Sequence, residues 1–338
     1  MTRVAGLQIL RVIACLGVFL CHLGAQMEIE GTIEKFMDFG ARGVYLFFIL
    51  SGFFGFRSRE LENGNKVTGC VRYWTKRAFK ILPLYYALII YNFVLYEMIL
   101  KNIPPDSSGI GWPRYFFLIS TFIPADRNFW VNLCSTWTIS IFVLFYLCVP
   151  LMKRLVHSFE GAVMLWGALY LISFVCLGRV AYGMPFFYLH YFVMGIVFYY
   201  AEEEGKVKEL IIGCIAFVLG SVMVNHTLTH TACSMLFLIV IIMAKEIRVE
   251  SERAQRLINL LDSYSYTIYL THAVVMDGIE MIRNRYPISQ VAILLLAIGC
   301  TVLGCFVVHH LIERPMEKLG RYCLDKIQKK DSKFIRQD

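Results

Sequence analysis

Apolar residues along this chain run in long blocks instead of alternating or recurring once per helical turn. Windows at 9–23, 81–100, 139–152, 163–177 and 291–308 each approach the ~20 residues that a helix needs to cross hydrocarbon. A helix that is apolar all round is surrounded by lipid or by protein, not by water. Between the blocks lie short polar loops, and no stretch long enough for a soluble domain remains. The pattern predicts an all-α polytopic integral membrane protein with about ten transmembrane helices. The expected spans are 4–24, 44–56, 81–100, 137–152, 163–177, 186–200, 210–224, 231–244, 263–282 and 288–311. The apolar piece at 115–123 is too short to span and sits among Pro104, Pro105, Pro113 and Pro124, so it is expected to be re-entrant or interfacial.

Composition sharpens this reading. Of 338 residues, 58% are hydrophobic and only 17% charged, a surplus that a water-facing surface cannot absorb. The net charge of +8 is carried by a few loops and the tail, which indicates membrane topology and no nucleic-acid partner. Loops rich in Lys and Arg stay on the cytoplasmic side. The acidic stretch holding Glu28, Glu30, Glu34 and Asp38 is then outside, and the basic run from Arg57 to Lys80 inside. Continuing the count places both termini in the cytoplasm, with Arg283 and Arg285 as the breach of the rule. The expected organisation is a transmembrane domain at 1–320 and a basic cytoplasmic tail at 321–338, in a cytoplasmic (inner) membrane. Arg11 inside the first apolar block, and the want of a small-residue cleavage site after it, predict a retained helix and no cleaved signal peptide. Most of the eleven cysteines lie within apolar spans as small hydrophobes, and their spacing predicts no metal site.

Arg11 and His22 are the sharpest chemical feature, because ionisable groups inside a membrane helix are costly and face a cavity or a partner. Eleven residues turn a helix by roughly 1,100° and advance it about 16 Å, so the two share a face without touching. Arg11 is either a snorkelling anchor or a guide for an anionic or carbonyl-bearing donor. His22 is either a packing residue or the base that takes a proton from an acceptor hydroxyl.

Phe48, Ser51 and Gly52 belong to FFILSG, where small residues permit close helix approach and a serine nucleophile is the lesser reading; with Trp137, Ser140 and Tyr269 they are candidates to line the site. Arg77 and Lys80 share one helix face, as either a membrane anchor or a clamp for the phosphates of a cytosolic donor. Trp137 and Ser140 open an amphipathic span. Tyr269 and His272 place polar groups in the ninth span, where His272 is either a bond between helices or a lining residue. His190, His309 and His310 read as packing or interfacial, and Glu313 as the close of the last span.

Taken in order, LQILRVIACLGVFLCH, FFILSGF, YWTKRAFKILPLYY, STWTISIFVLFYLCVP, FFYLHYFVMGIVFYY, SYTIYLTH and HHLIERPMEKL resemble the membrane-bound acyltransferase family 3 over almost the whole chain. The resemblance implies O-acylation, usually transfer of acetyl from cytosolic acetyl-CoA to a hydroxyl of a cell-surface or lipid-linked glycan. Acyl-CoA would be a co-substrate, with no cofactor tightly bound. The family's first-helix histidine and arginine match His22 and Arg11, and its RxxR element, tied to donor handling, matches Arg77 and Lys80. The lysine keeps the charge and loses the guanidinium fork. Many members carry a glutamate where this chain has Phe142, so a base paired to that acid is not expected here. No esterase-like segment follows the last span, and a periplasmic partner is the expected source where one is needed. The rival from another class is a transporter or flippase for a lipid-linked sugar, which also needs many helices and intramembrane charge.

Overall fold

The computed structural model describes residues 5–27, 29–62, 66–101, 112–119, 121–122, 136–176, 185–225 and 229–334. Helices α1 (Ala5–Gln26), α2 (Thr32–Phe39), α3 (Gly43–Phe56) and α4 (Lys66–Asn92) are followed by α5 (Pro113–Phe116), α6 (Thr136–Leu155) and α7 (Phe159–Cys176). The second half comprises α8 (Leu189–Glu203), α9 (Val207–Asn225), α10 (His230–Lys245), α11 (Glu252–Arg283), α12 (Gln290–Val308) and α13 (Arg314–Phe334). Among the described residues there is no strand. In hydrocarbon every backbone polar group must be satisfied within its own segment, which a helix does.

Each stretch expected to span is helical over most of its described part. By length and apolarity, seven helical segments among the described residues can cross a membrane. The other three are α8, of 15 residues, α10, of 16, and α11, whose first turns are polar. This is a polytopic, all-helical membrane protein. Helices α7 and α9 bury little of their surface, and Met164, Phe174, Ile212 and Met223 stand exposed as lipid-facing side chains do.

Three features differ from expectation. The acidic stretch after the first span is partly the amphipathic helix α2, with exposed Ile33 and Phe36, a pattern suited to lying in a membrane interface. The basic run before the third span is helical from Lys66 on, for α4 is continuous from there through Asn92, and Pro83 is accommodated inside it. The boundary expected at residue 320 falls within α13, an amphipathic helix docked on α4, where Gly320 lies against Phe79. Of the segment around 101–136, Pro113 opens the four-residue helix α5, while Pro104, Pro105 and Pro124 lie outside the described residues.

The core is aromatic and tight. Phe48, Phe145 and Phe192 are fully buried, with Phe192 stacked on Phe48 at 4.6 Å and on Phe145 at 4.2 Å between ring centroids. Helices α3 and α8 approach to backbone contact through glycines. A Cβ added at Gly52 would collide with the Phe192 carbonyl, and one at Gly195 with the Ile49 carbonyl. Gly→Ala normally favours a helix by about 1 kcal/mol. Here Gly52→Ala and Gly195→Ala are expected instead to destabilise by about 1–3 kcal/mol, because overpacking forces the helices apart. Thermal unfolding of the purified protein checks the sign, and a raised midpoint would refute the contact.

Candidate active site

Helix α1 runs beside α11 in a parallel pair whose contacts keep nearly constant register. Gln8 Nε2 donates to Asn259 Oδ1 at 2.9 Å and to Asp262 Oδ2 at 3.0 Å. One turn on, Arg11 donates to Asp262 Oδ2 at 2.7 Å, and its guanidinium lies 5.6 Å from the Phe54 ring. Cys15 Sγ donates to the Ser265 carbonyl at 3.2 Å. The His22 and His272 rings then meet with centroids 5.1 Å apart. At the far end Arg283, one of the two cations that broke the charge rule, donates to the Gln26 carbonyl at 2.7 Å, completing an end of α1.

Arg11 and His22 open onto different cavities. A large one, about 1460 Å³, lies toward the N-terminal end of α1 and is lined by Arg11, Ser51, Arg77, Lys80, Asp262 and His309 among others. Basic residues outnumber acidic ones on its walls. A smaller one, about 530 Å³, lies toward the C-terminal end, where His22, Asp38, Tyr45, Trp137, His230 and Tyr269 contribute to the wall. Between them Phe47, which lines the large cavity, meets Tyr269, which lines the small one, at a ring distance of 5.9 Å.

The remaining expected site residues divide accordingly. In the large cavity, the Arg77 guanidinium lies 4.6 Å from the Tyr146 ring and 5.4 Å from the Tyr73 ring, contacts that hold it in place. Lys80 is ion-paired with Glu317 at 3.0 Å on an exposed surface, so its charge is shared with α13. Ser51 lines this cavity. On the small cavity, Trp137 packs on Tyr188 at 4.7 Å, and the Tyr269 hydroxyl is 3.0 Å from Thr138 Oγ1.

His272 is buried beside His22, its Nδ1 3.0 Å from the Ile268 carbonyl and its Nε2 without a partner. It is therefore a neighbour of the candidate base. Phe48 and Gly52, expected to line the site, belong instead to the α3–α8 packing core, and Ser140 is buried on neither cavity wall. Phe142 meets Phe48 and Phe192 edge to face, 5.1 and 5.4 Å away, in that same core. The carboxylate that shares the small cavity with His22 is Asp38, carried on α2.

Residues that sequence reasoning passed over are Gln8, Asn259 and Asp262, the partners of Arg11. Their signal was present: Gln255, Asn259 and Asp262 fall at i, i+4 and i+7, a polar stripe on one helix face. His309 and Glu313, expected in packing and capping roles, instead form a buried couple 2.6 Å apart. Among the described residues no group of three or more His, Cys, Asp or Glu side chains is placed to hold a metal ion.

A family described as an acyltransferase domain matches residues 4–310 of the chain. Acyltransferase MdmB of Streptomyces mycarofaciens is 24% identical over 94% of this chain and 93% of its own length. O-acetyltransferase OatA of Staphylococcus aureus (strain MRSA252) is 21% identical over 98% of this chain, which spans 60% of that protein. In strain NCTC 8325 / PS 47 the match to OatA is 24% over 63% of this chain and 34% of the relative. No solved structure matches.

Proposed function

The chain belongs to the acyltransferase family just described, and we propose that it moves an acyl group, acetyl in the simplest case, from cytosolic acyl-CoA to a hydroxyl of a cell-surface or lipid-linked glycan. One observation carries this reading: a single helix, α1, presents Arg11 to one cavity and His22 to another nearer its opposite end. The large cavity is basic, as a site for the phosphates of CoA needs to be, and Arg77 and Lys80 lie on its wall. The small cavity joins a candidate base to aromatic faces, Trp137 and Tyr45, suited to a sugar ring.

Orientation follows from the charge rule, which puts the N-terminal end of α1 and the large cavity in the cytoplasm. The parallel runs of α1 with α11, and of α3 with α8, agree with that count. In it they are the first and ninth crossings and the second and sixth. The names of the relatives, one an acyltransferase and one an O-acetyltransferase, agree with the chemistry.

In the proposed reaction acyl-CoA enters the large cavity and extends its thioester past Phe47 toward His22, which takes the proton of the acceptor hydroxyl. Burial keeps out the water that would hydrolyse the thioester. Labelled acetyl-CoA given to the cytoplasmic face of membrane vesicles is expected to produce an alkali-labile ester on an envelope glycan, and the same donor outside is expected to produce none. Glycan movement with no ester formed would favour a flippase and overturn this reading.

A further inference from the structure

An acyl transfer with His22 as base leaves the departing sulfur in need of a proton, and the chain's last motif holds a group placed to supply it. Residues His309–Glu313 form a π-helical turn between α12 and α13, a local widening that often accompanies function. Within it, His309 Nδ1 lies 2.6 Å from Glu313 Oε2, and that oxygen also accepts from Thr267 Oγ1 at 2.7 Å. All three residues are buried, and Glu313 Oε1 has no partner. A buried carboxylate needs a donor facing it, and the His309 ring is that partner, an ion pair whenever the ring is protonated. The ring also packs on Tyr264, with centroids 4.5 Å apart. Of the couple, His309 is the residue on the wall of the large cavity. With Nδ1 committed to Glu313, Nε2 is the atom left to exchange a proton there.

We propose that His309 is the general acid of the donor half-site, oriented by Glu313 and Thr267, and that it protonates the CoA sulfur as the thioester breaks. The proposal rests on the acyl-CoA reading above. The acceptor oxygen attacks the carbonyl carbon while its proton passes to His22. The C–S bond breaks with its electron pair on sulfur, and Nε2–H of His309 supplies the proton that completes the thiol. Each histidine then re-equilibrates with its own side of the membrane. Thr267, at the His309 couple, and His272, at His22, are both carried by α11, five residues apart, a rise of about 7.5 Å and a rotation of about 140°.

The test compares acetyl-CoA with an analogue fluorinated beside the sulfur, whose more acidic thiol departs without a proton. His309→Gln is expected to lower kcat for acetyl-CoA about 100-fold with little change in KM, as loss of a general acid does. On the fluorinated donor most of that loss should vanish. Glu313→Gln, which leaves the ring but removes its charged partner, should show a smaller loss with the same recovery. A role in folding or packing would depress both donors alike, and that result, or an unaffected His309→Gln enzyme, overturns the assignment while leaving the acyl-CoA reading intact. A wild-type protein that transfers from neither donor overturns both. Should neither variant insert, the wild type decides. A solvent isotope effect on single-turnover transfer that falls with the fluorinated donor supports the role, and an equal or absent effect refutes it.

Discussion

Acyl transfer is expected to fall by about 1,000-fold or more when His22 is replaced with alanine, the loss typical of removing a well-placed general base. The geometry makes the residue hard to substitute. His22 is the histidine of α1, lies on the wall of the small cavity, and has the buried His272 as its ring neighbour at 5.1 Å. Phe142 offers no carboxylate, being locked in an aromatic core. Asp38 and His230 share the cavity but sit on other helices, and the His230 ring is engaged with the Tyr45 hydroxyl at 3.4 Å. Exchange of an ionisable group for alanine makes α1 easier to hold in lipid, so insertion should be unchanged. Alkali-labile acetyl on surface glycans, measured beside the amount of protein in the membrane, separates the two effects. Normal acetylation by His22→Ala would remove His22 from the reaction.

The second large effect is expected on stability as well as activity. The Arg11–Asp262 ion pair is deep on the Asp262 side, where 7% of the side chain is exposed, against 34% for Arg11. Removing Arg11 leaves a largely buried carboxylate with Gln8 still donating to it, and because the pair borders a cavity the cost is expected to be about 1–3 kcal/mol. Arg11→Ala and Asp262→Ala should therefore each lower the unfolding midpoint. The double variant should lose much less than their sum, because no charge is left stranded. Activity should be lost in all three, since Arg11 also lines the large cavity proposed for the donor. Additive losses in stability would show that the two residues act independently and that the pair does not fix α1 against α11.

Much of the architecture is legible in the sequence because bilayer solvation acts on each helix by itself. Twenty apolar residues are costly in water wherever the rest of the chain lies, and basic loops stay on one side for reasons equally local. Arg11 and His22 stood out on the same grounds, each being an expensive group in an apolar run. Glycine at 52 was read in part correctly, since a small residue in FFILSG does serve helix approach, but its place in the core and not on a cavity depends on what faces it.

Pairings that join distant parts of the chain are what the sequence did not disclose. Arg11 meets Asp262 and His22 meets His272, in each case 250 or more residues away, and no local pattern specifies which helix lies beside which. The sequence alone therefore determined a helical membrane protein, its basic and acidic stretches, and two ionisable residues on one face of its first helix. Only tertiary packing decided that this face opens onto two cavities divided by Phe47 and Tyr269, and that His309 and Glu313 form a buried couple beside one of them. The physical reason is that solvation is summed residue by residue, whereas a cavity and an ion pair exist only between helices already packed.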